Sequence, residues 1–86
     1  MAVTDKLTEV AVKNAKPDNK TKKMADGGGM YLEVTPTGAK YWRLKYRFAG
    51  KEKRLALGVY PDISLKEARK RRQDAKSLLT EGVDPS

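Results

Sequence analysis

The sequence contains neither cysteine nor histidine. That removes disulfides, thiolate nucleophiles, the usual zinc ligands and the common general base for activating a hydroxyl at neutral pH. Its acidic residues are scattered without metal-ligand spacing, so no cofactor or metal is expected and no catalytic site can be assembled. No stretch approaches the roughly 18 apolar residues of a membrane span. No apolar run follows the first basic residue, so no secretory leader is expected. The chain reads as soluble, with no membrane partner, and the lack of cysteine is consistent with a reducing cytosol. Aromatic residues are only 7% and hydrophobic residues 38% of the 86 positions. A chain of that size and composition builds one thin core and no large buried cavity, so a small-molecule substrate is not expected either.

Positive charge, by contrast, is abundant. Nineteen Lys and Arg against 11 Asp and Glu leave a formal net charge of +8, which points to a polyanionic partner, nucleic acid first. A bland alternative is that the charge serves solubility alone. The placement of the charges along the chain decides between the two.

Thr8 can cap a short helix over Thr8 to Ala15, with Val10, Ala11 and Ala15 at helical spacing and Pro17 ending it. From Lys16 to Gly29 the composition is polar and closes in Asp26-Gly27-Gly28-Gly29, a flexible connector. Met30 to Thr35, Lys40 to Phe48 and Lys51 to Leu57 then alternate at period two, separated by Pro36-Thr37-Gly38-Ala39 and Ala49-Gly50. They predict a three-stranded antiparallel meander. Val59-Tyr60-Pro61-Asp62-Ile63 breaks the pattern. Ser64 and Glu67 have capping-box spacing, and Leu65, Ala68, Arg72, Ala75 and Leu79 share one face up to Gly82. This predicts a helix from about Leu65 to Glu81. Arg72 is the awkward member of that stripe; its stem should pack while its guanidinium escapes or meets an acid. The fold expected is α+β, a three-stranded sheet packed on one C-terminal helix. Residues 1–29 form the N-terminal helix and connector, 30–82 the sheet and helix, and 83–86 the start of a linker.

Alternation assigns Met30, Leu32, Val34, Trp42, Leu44, Tyr46, Phe48, Leu55 and Leu57 to the core face. The opposite face then gathers Tyr31, Glu33, Tyr41, Arg43, Lys45, Arg47, Glu52, Arg54 and Ala56. Between Lys40 and Arg54 stand seven Lys and Arg and one acid, six of the eight net positive charges. A merely solvated face interleaves signs, because like charges across a strand pair repel. A sheet face this cationic suits phosphates, and strands can enter a DNA groove. Lys40, Lys51 and Lys53 are the candidate phosphate contacts, with Lys66 a further one. Tyr41, Arg43, Lys45, Arg47 and Arg54 are candidates for base edges, and Tyr31 and Tyr41 for stacking or hydrogen bonding.

The second basic cluster, Lys66, Arg69, Lys70, Arg71, Arg72 and Lys76, reads better as a solvated, salt-bridged helix face. Its apolar side is too rich in alanine for a membrane-surface helix. Gly50-Lys51 is not the end of a phosphate-binding loop, since Lys45 stands where glycine is required and Glu52 where Ser or Thr is required. Two rivals to duplex DNA stay open: an RNA-binding module whose tyrosines stack on unpaired bases, and a protein-interaction module docking acidic partners through an edge strand.

The succession Leu7-Thr8, Asn14-Ala15-Lys16-Pro17, Asp26-Gly27-Gly28-Gly29-Met30-Tyr31-Leu32, Gly38-Ala39-Lys40-Tyr41-Trp42-Arg43, Leu57-Gly58-Val59-Tyr60-Pro61 and Ser64-Leu65-Lys66-Glu67-Ala68-Arg69 resembles a known family. It is similar to the amino-terminal, arm-type DNA-binding domain of prophage and genomic-island integrases of the tyrosine recombinase family. The resemblance covers nearly the whole chain, in family order. It implies a three-stranded sheet whose exposed face enters the major groove at arm-type sites flanking the recombination core. It also implies a parent that mediates site-specific DNA integration and recombination in the bacterial cytoplasm, at the nucleoid, with other integrase protomers as partners. Gly82-Val83-Asp84-Pro85-Ser86 resembles the junction to a core-binding and a catalytic region that this chain lacks. No catalytic role therefore passes to any residue here.

Overall fold

A computed structural model describes residues 6–86, so the first positions of the expected N-terminal segment lie outside the described residues. In chain order the elements are α1 (Glu9–Asn14), β1 (Lys22–Gly27), β2 (Met30–Val34), β3 (Lys40–Phe48), β4 (Lys51–Tyr60) and α2 (Leu65–Thr80). The strands form one antiparallel sheet in the order β1-β2-β3-β4. The architecture is α+β with a C-terminal helix, as expected, but the sheet has four strands rather than three.

The additional strand is the segment read as a connector. Met24 lies opposite Leu32 and Ala25 opposite Tyr31, and Gly27 pairs with Met30. Gly28 and Gly29 thus make a two-residue hairpin loop, with φ of +63° and +88°. Turns of this kind need positive φ at both central residues, so the glycines are there for geometry and not for flexibility. At Gly29 a side chain is also excluded by space, since a Cβ would sit 2.4 Å from the Lys45 carbonyl oxygen. The register shifts between Ala25 and Gly27, leaving Asp26 as the extra residue of a bulge. The bulge turns Asp26 into the packed layer, where it has no exposure.

The same device extends β4 beyond its expected end. Trp42 pairs with Gly58 and Arg43 with Ala56, so Leu57 is the bulged residue and the strand continues to Tyr60 in shifted phase. Gly58 leaves room for Ile63: a Cβ there would lie 2.4 Å from Ile63 Cγ1. Ile63 in turn presents its carbonyl to the Trp42 indole N–H, which donates to it at 2.7 Å.

In α1, Thr8 Oγ1 accepts from the Ala11 amide at 3.1 Å, the expected cap. The buried residue is Val12, whereas Val10 is largely exposed, so the inward face differs from the one the spacing of Val10, Ala11 and Ala15 suggests. In α2, Ser64 Oγ accepts from the Glu67 amide at 3.2 Å. At the other end Gly82, with φ of +77°, lets the Gly82 and Val83 amides donate to the Leu79 and Leu78 carbonyls. Leu65, Ala68, Arg72 and Ala75 are buried on one face. They pack with Met30, Leu32, Val34, Trp42, Leu44, Tyr46 and Leu57, and Leu7 and Val12 join the same core. One face of the sheet is therefore largely covered by the core and α2, and the other faces outward.

Candidate nucleic-acid interface

The outward face takes its side chains from all four strands. In register, Tyr31 stands opposite Arg43, Lys45 opposite Arg54, Arg47 opposite Glu52 and Tyr41 opposite Glu33. Six of the expected residues, Tyr31, Tyr41, Arg43, Lys45, Arg47 and Arg54, share this face. Arg43 donates to Glu33 at 3.3 Å, and its guanidinium lies 5.6 Å from the centre of the Tyr41 ring. Lys45 pairs with Glu52 at 3.0 Å. That hydrogen bond, then the Lys45 charge, with Arg47 and Arg54 adding smaller effects, hold the Glu52 carboxyl below its ordinary pKa. Exposed pairs of this sort contribute little to stability. Arg47 and Arg54 are exposed and have no ion-pair partner among the described residues, and Lys51 is exposed beside the β3–β4 turn.

Three expected contacts, Lys40, Lys51 and Lys53, have the phase of the packed side, Lys51 standing opposite Phe48 at the exposed end of the hairpin. Lys40 Nζ donates to the carbonyls of Val12 at 2.8 Å and Lys13 at 3.1 Å, placing a cation at the C-terminal end of α1. It also sits 5.4 Å from the centre of the Tyr60 ring. Lys53 stands opposite Tyr46, and its ammonium pairs with Asp84. Asp84 also accepts from the Tyr46 hydroxyl at 2.6 Å. The Lys53 hydrogen bond first, then that of Tyr46, hold the Asp84 carboxyl far below the ordinary carboxylate range, while Asp84 raises the Lys53 ammonium. The basic cluster of α2 is likewise partly engaged inside the fold. Arg69 and Arg72 both donate to Asp26, and Arg71 donates to the Leu57 carbonyl at 2.9 Å.

Sequence reasoning missed Lys23. It lies on the outward face opposite Glu33, with its ammonium 5.5 Å from the centre of the Tyr31 ring. The signal for it was the Gly28-Gly29 pair, which announces a hairpin and hence a strand before it. Lys23, Lys45 and Arg54 surround a depression of about 570 Å³ whose buried member is Tyr31. Tyr31 is less exposed than its expected role in stacking requires. Its hydroxyl has no partner within the described protein, a state that costs about 1 to 3 kcal/mol in a folded chain.

Residues 7–86 match the Arm DNA-binding domain family. The chain is 56% identical over 82 residues to an integrase of Enterobacteria phage P4, covering 93% of this chain and 19% of that protein. It is 43% identical over 81 residues to the prophage integrase IntZ of Escherichia coli, covering 92% and 20%. It is 42% identical over 79 residues to an integrase of Shigella phage Sf6, again covering 92% and 20%. The chain thus spans about one fifth of the length of these relatives. The match over almost every described residue places the chain in the Arm DNA-binding domain family.

Proposed function

We propose that the chain binds duplex DNA at arm-type sites, as the amino-terminal module of a site-specific integrase of the tyrosine recombinase type. The observation that carries this reading is the outward sheet face. Arg43, Lys45, Arg47 and Arg54 are gathered there, on a sheet whose other face is covered by α2 and the core. Strands of a twisted antiparallel sheet can enter the major groove and aim guanidinium groups at guanine O6 and N7. In this arrangement Arg43, Arg47, Arg54, Lys45 and Tyr41 reach base edges and Lys51 reaches a phosphate. Lys40 and Lys53 add positive potential while holding α1 and the Asp84 segment in place. The strand cleavage and joining of the parent belong to other parts of it, and other integrase protomers are its partners at the nucleoid.

The test is titration of the domain with duplex DNA across a salt series, with single-stranded RNA as competitor. If about five phosphates are neutralised, log K against log salt should fall with a slope of roughly −4 to −5. A flat response would contradict phosphate binding, and preference for the RNA would favour the rival module.

A further inference from the structure

We propose that the depression around Tyr31 is an oxyanion site for one DNA backbone phosphate. The phenol hydroxyl, buried in the free chain, donates to a non-bridging oxygen once the flexible side chains of Lys23, Lys45 and Arg54 part and surround the charge. This rests on the duplex-binding reading above and names a subsite within it. Three observations carry it.

The first is the hydroxyl itself. Tyr31 is only 8% exposed and its hydroxyl has no protein partner, whereas the other buried aromatic polar groups are satisfied, Tyr46 by Asp84 and Trp42 by Ile63. Buried polar groups are paired as a rule, so the exception marks a position completed from outside.

The second is the supply of charge. All four strands contribute to the lining: Lys23 and Ala25 from β1, Tyr31 from β2, Lys45 from β3, and Glu52, Lys53 and Arg54 from β4. Lys53 also lines the depression but is paired with Asp84; the other three cations against the single carboxylate of Glu52 leave an excess of two, enough to neutralise a phosphodiester. Glu52 accepts from Lys45, so a phosphate entering the depression would compete with Glu52 for that ammonium.

The third is the type of donor. Two of the cations are lysines, point charges without the planar fork that reads a base bidentately, and a phenol supplies one directed hydrogen bond. That set suits a phosphate oxygen better than a base edge.

The experiment compares the 86-residue chain with Tyr31→Phe, which removes the hydroxyl and keeps the ring. Duplex affinity should fall about tenfold, the scale of one hydrogen bond to a charged group. The salt slope should not change, because no charge is lost. Lys23→Ala should instead reduce the slope by about 0.9, and Glu52→Gln should tighten binding. In a series of duplexes each carrying one neutral methylphosphonate, a single position should erase the difference between Tyr31→Phe and the unchanged protein. The free Tyr31→Phe protein should melt at the same or a higher temperature. Unchanged affinity, or a lower melting temperature showing that the hydroxyl has a partner inside the fold, would overturn the proposal.

If the unchanged chain itself fails to bind duplex, the duplex reading falls separately, and titration with inorganic phosphate decides the site. Saturable shifts of the Lys45 and Arg54 resonances that disappear in Tyr31→Phe would assign it to free phosphate. No saturable shift would overturn it.

Discussion

Arg72 and Asp26 form an ion pair of 3.0 Å within the layer between α2 and the sheet. Asp26 has no exposed surface and Arg72 very little. The same carboxylate accepts from Arg69 Nε at 3.0 Å, Arg69 Nη2 at 2.9 Å and the Leu7 amide at 2.8 Å. One side chain on a bulge of β1 thereby fastens α2, the sheet and the segment leading to α1. Burial alone would raise the Asp26 pKa. The Arg69 hydrogen bonds, the Leu7 amide and the two guanidinium charges outweigh it and hold the carboxyl below its ordinary value.

Asp26→Asn should therefore destabilise the domain by about 3 kcal/mol at neutral pH, because the buried Arg72 and the partly buried Arg69 both lose the Asp26 charge. The folded-state pKa lies below the unfolded one, so the stabilisation is complete above the unfolded pKa, from about pH 5 upward. It is lost as pH falls through the folded-state value. Denaturant midpoints from neutral pH into acid should show the two proteins converging as the pH drops. The Asp84 carboxylate, also depressed, leaves a residual acid sensitivity in both.

Trp42→Ala removes the largest fully buried side chain and its bond to Ile63. A loss of about 3 to 5 kcal/mol is expected, enough to unfold a small domain or bring it close to unfolding. A near-native thermal melt would mean that the sheet faces had been exchanged.

Gly58→Ala tests the β4 bulge. The new methyl meets Ile63 at a position with φ of +142°, so a cost of about 1 to 3 kcal/mol is expected. The denaturant midpoint should fall with no change in m-value.

Much of this was legible beforehand. Met30 to Val34 and Lys40 to Phe48 alternate cleanly because one face is packed and the other wet, and the Ser64-to-Gly82 punctuation marks α2 to within a residue. Even the awkward Arg72 finds the acid that its position in the stripe calls for. What escaped has a common physical cause. β1 is an edge strand whose buried members are Met24, only partly covered, and an aspartate, so it carries almost no hydrophobic period. Bulges at Asp26 and Leu57 shift the phase that alternation relies on. Lys40 and Lys53 have the charge of phosphate contacts, but their partners, the carbonyls of Val12 and Lys13 and the carboxylate of Asp84, are remote in sequence and reveal themselves only in the fold.

Reading and positioning on the sheet should separate by substitution. Arg43→Ala and Arg47→Ala should each cost about 1 to 3 kcal/mol on a selected duplex and much less on a scrambled one, while Lys51→Ala should weaken both alike. Paired titrations check this, and equal losses on both duplexes would make the central strand an electrostatic anchor only.

The most direct test of the central claim is to follow the backbone amide resonances of the domain as a selected duplex is added. If the outward sheet face lies in the groove, the largest shifts should fall on Lys23, Tyr31, Tyr41, Arg43, Lys45, Arg47 and Arg54. The exposed positions of α2, Lys66, Lys70 and Gln73, should stay nearly unmoved. Shifts concentrated on α2 with the sheet silent would contradict the account.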